Sequence, residues 1–69
     1  MPKASKKQVC DELKREARAR ALEAAQMTRA ANELERQGLK ERATSLRDKA
    51  RYNEVERIKL LAQASALGC

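Results

Sequence analysis

The sequence predicts an all-α fold: an antiparallel two-helix hairpin with an Ala/Leu heptad seam, dimerising into a four-helix arrangement. Three observations predict it. Eight pairs of positions sum to 77, and most set a large side chain against a small one. The pairs are Leu34 with Ala43, Ala31 with Leu46, Met27 with Ala50, Ala24 with Asn53, Arg20 with Arg57, Ala17 with Leu60, Leu13 with Ala64, and Cys10 with Leu67. A constant sum is what two helices running in opposite directions from one turn produce, and large facing small lets them approach closely. The midpoint of this pairing falls at Gly38, and the composition is dominated by Ala, Glu, Lys, Leu and Arg with 38% charged residues, as in long helices.

Each element has a local reason. Residues 1–4 are expected to be disordered, and the hairpin to occupy 5–68. Ser5 followed by Gln8 has the form of a capping box, which starts helix 1 at about residue 5. Its seam repeats every seven residues, in one row of Cys10, Ala17, Ala24 and Ala31 and another of Leu13, Arg20, Met27 and Leu34. Helix 1 ends at about Gln37, with Gly38 suited to the left-handed position after the cap and Leu39 able to fold back onto Leu34. Helix 2 runs from about 39 to 67, with rows Leu39, Leu46, Asn53, Leu60, Leu67 and Ala43, Ala50, Arg57, Ala64, and Gly68 stops it. A strict period of seven implies left-handed coiled-coil geometry.

Helix 2 carries a second apolar stripe of Tyr52, Val55, Ile58, Leu61 and Ala62, pointing away from helix 1. A lone hairpin would leave it exposed, so we assign it to a homodimer interface, with Leu22, Ala25 or Val9 of helix 1 as additions. A dimer also answers the weakness of a small, alanine-rich core with no Phe or Trp. At the waist the seam turns polar. Arg20 faces Arg57, and Asn53 lies one layer away. Two guanidinium groups cannot share a dry core. Either Glu16, Glu23, Glu54 and Glu56 form an ion network with them, or the long stems lie along the seam and the heads reach water.

Composition narrows the function. The chain has 16 Lys and Arg against 10 Asp and Glu, a net charge of +6, which favours acidic partners. No stretch approaches the roughly 20 apolar residues of a membrane span, and the start Met1-Pro2-Lys3-Ala4-Ser5-Lys6-Lys7 lacks the apolar core of a signal peptide. The expected location is the cytoplasm. There, Cys10 and Cys69 are expected to be reduced, Cys10 as a small core residue and Cys69 at a frayed end. The antiparallel register nevertheless leaves a Cys10–Cys69 bridge geometrically open. No metal or cofactor is expected: there is no His, and two thiols 59 residues apart match no zinc spacing. With no His, no Gly-rich phosphate loop and no base beside Cys10, the chain reads as a binding protein and not an enzyme.

Two partner classes remain. A dimeric hairpin with Ala/Leu layers resembles, in architecture, plasmid copy-number RNA-binding proteins of the Rop type. Against nucleic acid stand the mixed charges within each turn, as in Lys14-Arg15-Glu16 and Arg47-Asp48-Lys49, and a single aromatic, Tyr52, already given to the dimer stripe. For a protein partner, Arg29, Lys40, Arg47 and Arg51 give basic character to the turn-proximal half, with Arg20 and Arg57 at the waist. The spacing Ala31, Leu34, Gly38, Ala43, Ala50 is similar to that of a single tetratricopeptide hairpin, without a second repeat. The short, basic chain with its Gly-hinged turn Glu35-Arg36-Gln37-Gly38-Leu39 and expected dimer also resembles the small quorum-sensing anti-activators encoded by Pseudomonas phages. That resemblance implies binding to a LuxR-type transcription regulator, such as LasR, and loss of the regulator's DNA binding. It also implies inhibition of the type IV pilus assembly ATPase, which prevents superinfection. The AraC-negative-regulator family is similar in style, being short, helical and anti-activating.

Overall fold

A computed structural model describes residues 5–69, so the expectation for residues 1–4 lies outside the described residues. Two α-helices, α1 (Lys6–Arg36) and α2 (Lys40–Ala66), pack against each other along their lengths. The result is a rod of 53 × 18 × 17 Å. The side-chain bonds between the two arms pair residues in inverse order: 10 with 69, 20 and 27 with 53, and 32 and 35 with 47. This is the antiparallel hairpin expected from the pairing pattern.

The start of α1 is a complete capping box. The Gln8 amide donates to Ser5 Oγ at 3.2 Å, and the Ser5 amide donates to Gln8 Oε1 at 3.0 Å. The box matters because the first turn carries Lys6 and Lys7 and no acid, which opposes the helix dipole. The Lys6 ammonium reaches instead to Gly68, just beyond the end of α2. The last turn of α2 has no basic residue of its own, so Lys6 brings positive charge to the negative end of the neighbouring helix.

Both helices end in the same way. Gly38 takes φ +82°, its amide donates to the Glu35 carbonyl at 3.0 Å, and the Leu39 amide donates to Leu34 at 2.9 Å. Gly68 takes φ +81°, its amide donates to Ser65 at 2.9 Å, and the Cys69 amide donates to Ala64 at 3.0 Å. These are paired Schellman turns, in which glycine supplies the left-handed residue and the following residue is folded back over the last turn. The first reverses the chain. The second aims Cys69 back along the rod.

The seam is built from small residues. Cys10, Ala17, Ala24 and Ala31 of α1 and Ala43, Ala50 and Ala64 of α2 are buried, with Ala31 and Ala43 at 0% exposure. Leu13, Met27, Leu34, Leu46 and Leu60 are only half-buried. With just two helices, a long side chain at the seam reaches past the contact line and lies along its edge. Leu67, expected to face Cys10, stays exposed because the chain leaves the helix there.

One expectation is corrected. Cys10 and Cys69 are not free thiols: they form a disulfide, with Cα atoms 5.9 Å apart. The physical reason is the second Schellman turn. It does not let residue 69 fray, but places it across from the first turns of α1, beside buried Cys10. The hairpin is thereby closed at both ends, by a glycine turn and by a covalent clasp.

Candidate functional site

The waist resolves its charge problem by separating the two guanidinium groups. Arg20 Nη1 donates to Asn53 Oδ1 at 2.8 Å, and Asn53 Nδ2 approaches Met27 Sδ at 3.5 Å. Asn53 is 3% exposed, the one buried polar residue among those described, and it is fully partnered. Arg57 turns the other way and donates through Nε to Glu54 Oε2 at 2.8 Å. Arg57 takes one ion pair of the network that the sequence left open, whereas Arg20 takes a neutral amide, which neither of the two arrangements includes. Glu16 and Glu23 take no ion pair among the described residues, and Glu56 pairs instead with Lys59 at 3.5 Å.

The six cations expected to bind a partner divide into two groups. Arg47 bridges the helices near the turn, paired with Glu35 and donating to Asn32 Oδ1 at 3.0 Å. With Arg20, which reaches Asn53 of α2, it is spent on holding the hairpin together, whereas Arg57 pairs with Glu54 within α2. Arg29, Lys40 and Arg51 are exposed and have no carboxylate within ion-pair distance among the described residues. Arg42 and Lys49 of the same half are likewise exposed and unpaired among the described residues, so the turn-proximal half keeps five free cations.

The second apolar stripe lies on the outer side of α2. Tyr52 is 60% exposed and Ile58 58%, with Val55, Leu61 and Ala62 also exposed. Leu22, on the outer side of α1, is exposed as well. A shallow groove lined by Asp48, Arg51, Tyr52, Val55, Glu56 and Lys59 follows the start of the stripe. Within the stripe, Val55, Ile58 and Ala62 follow steps of three and four residues, one heptad in length. That is a second heptad seam, which a single hairpin leaves unfilled.

A feature missed in the sequence lies between the waist and the disulfide. Ala17 and Ala21 of α1 and Leu61 of α2 form the floor of a shallow dish, and Lys14, Arg18 and Arg57 surround it. The signal was available: 14, 17, 18 and 21 share one helix face, with two cations beside two alanines. It was hidden because Lys14-Arg15-Glu16, read as neighbours in sequence, looks like mixed charge, whereas these side chains point to different sides of the helix.

Among the described residues, no helix is long and apolar enough to cross a membrane, and no cluster of His, Cys, Asp and Glu could hold a metal ion. Comparison of the chain with known protein families, curated proteins and solved structures finds no match.

Proposed function

We propose that the chain is a non-catalytic, dimeric binding protein that acts by stoichiometric occlusion of a protein partner. The observation that carries this reading is the pairing, on one zipped rod, of an exposed apolar heptad stripe with free cations. The stripe Tyr52–Val55–Ile58–Leu61 suits a second copy, because a further seven-residue seam is what another α2 would fill. Arg29, Lys40 and Arg51 then remain for an acidic surface. In its specific form the partner is a bacterial transcription regulator of the LuxR type, prevented from engaging DNA, with the type IV pilus assembly ATPase as a second target. The place of action is the bacterial cytoplasm, where the disulfide is the element most exposed to a reducing poise.

Two measurements test the reading. In sedimentation equilibrium the wild-type chain has the mass of a dimer, and Ile58→Asp has that of a monomer, since a carboxylate in the apolar stripe loses its hydration on association. An unchanged mass would remove the stripe from the interface. In a gel-shift assay with a purified LuxR-type regulator and its operator, added protein dissolves the complex with a stoichiometric end point, and Arg29→Glu/Lys40→Glu/Arg51→Glu weakens the effect by about tenfold or more. An unaffected operator complex counts against the regulator. If the chain itself shifts DNA or RNA with a steep salt dependence, the Rop-like reading replaces this one.

A further inference from the structure

We infer that the dish between the waist and the disulfide docks an acidic amphipathic helix of a partner protein. The inference rests on the protein-binding reading and adds to the turn-proximal cations a second contact, on the clasped half of the rod. Ala17, Ala21 and Leu61 make its floor apolar, and Lys14, Arg18 and Arg57 make its rim cationic, with no carboxylate in the lining. Both helices contribute, so the dish exists only in the zipped hairpin.

The charge state of the rim selects the partner. Lys14 and Arg18 have no carboxylate within ion-pair distance among the described residues. Arg57 is held through Nε by Glu54, which fixes the guanidinium at the rim. Lys14 and Arg18 stand one helical turn apart, about 6 Å along α1. A partner helix with carboxylates at i and i+4 repeats that spacing, and a large apolar residue at i+3 falls on the same face, above the alanines. The alanine floor leaves room for one such side chain, and burying it expels water from around the charge pairs, which strengthens them.

The same features disfavour nucleic acid. Single strands are held largely by stacking on aromatic rings, and the one aromatic, Tyr52, does not line the dish. Leu61 belongs to both the dish and the outer stripe, so dimer and partner surfaces meet along one edge. It is therefore not a test residue, because changing it disturbs both.

The test uses the full, oxidised chain and a fluorescein-labelled synthetic helix with the repeat Glu at i and i+4 and Leu at i+3, alongside a twin with Lys for Glu. Fluorescence anisotropy is expected to detect binding of the Glu peptide and not of the Lys twin. Lys14→Glu/Arg18→Glu weakens that binding by about tenfold or more, while Arg29→Glu/Lys40→Glu changes it by less than about twofold. Both target side chains are exposed and unpaired, and circular dichroism checks that the fold survives. Lys14→Gln/Arg18→Gln gives the same ordering without adding carboxylates. No binding of the Glu peptide, equal binding of both peptides, or equal affinity in the dish variants would each overturn the inference. If the dish variants still dissolve a regulator–operator complex, the dish falls and occlusion stands. If neither the peptide nor the regulator binds, both fall.

Discussion

Reduction of the Cys10–Cys69 bond is expected to lower the unfolding free energy of the hairpin by about 4 kcal/mol. The bond joins residues 59 apart, so it encloses almost the whole described chain. In the chain-entropy account, a loop of this length removes much of the freedom of the unfolded state. The effect is large relative to what it supports. The buried seam consists of six alanines, one cysteine and Asn53, with no fully buried large side chain among the described residues. Small chains of this kind have only about 3–5 kcal/mol from their cores. The clasp is therefore comparable to everything else that stabilises the fold. Urea unfolding followed by far-UV circular dichroism, with and without a phosphine reductant, measures the difference. Cys10→Ser/Cys69→Ser should coincide with the reduced protein. Coincident oxidised and reduced midpoints would mean that the clasp stabilises nothing.

Ala31→Leu is expected to destabilise by about 1–3 kcal/mol through overpacking. Ala31 is 0% exposed and lies in the turn-proximal half, in the layer with Leu34, Leu46 and Ala43. A branched side chain there has no void to enter, so it must leave its preferred rotamer or force the helices apart. Helix propensity does not offset this, since Leu and Ala are both strong helix formers. The control is one residue away: Ala30 is exposed, and Ala30→Leu should change stability by no more than about 0.5 kcal/mol. Equal urea midpoints for the two variants would show that the helices do not approach closely at this layer.

The elements legible in the sequence were those with a local or periodic cause. Ser5 and Gln8 satisfy each other within one turn, Gly38 occupies a backbone conformation that suits few other residues, and the alanine rows repeat every seven positions. What was not legible depends on reach and on register to within one residue. Arg20 could have met Glu16 or Glu23 on its own helix, but Asn53 across the seam is the partner it takes. Arg47 read as a free recognition cation, yet its length lets it span the groove to Glu35 and Asn32. The disulfide depended on the turn at Gly68. Read as a helix stop, that glycine leaves Cys69 to fray; read as a Schellman turn, it returns Cys69 to Cys10. The dish needed both helices in place before Lys14, Arg18 and Arg57 could be seen as one rim.

Tryptic mapping under non-reducing conditions tests the doubled-back, clasped architecture most directly. Cleavage after Lys7, Lys14 and Lys59 releases Gln8–Lys14 and Leu60–Cys69. The hairpin predicts these two peptides joined through Cys10 and Cys69, from a chain that runs as a single polypeptide in a non-reducing denaturing gel. Free thiols on both peptides, or a Cys69-to-Cys69 link from a covalently joined pair of chains, would contradict it.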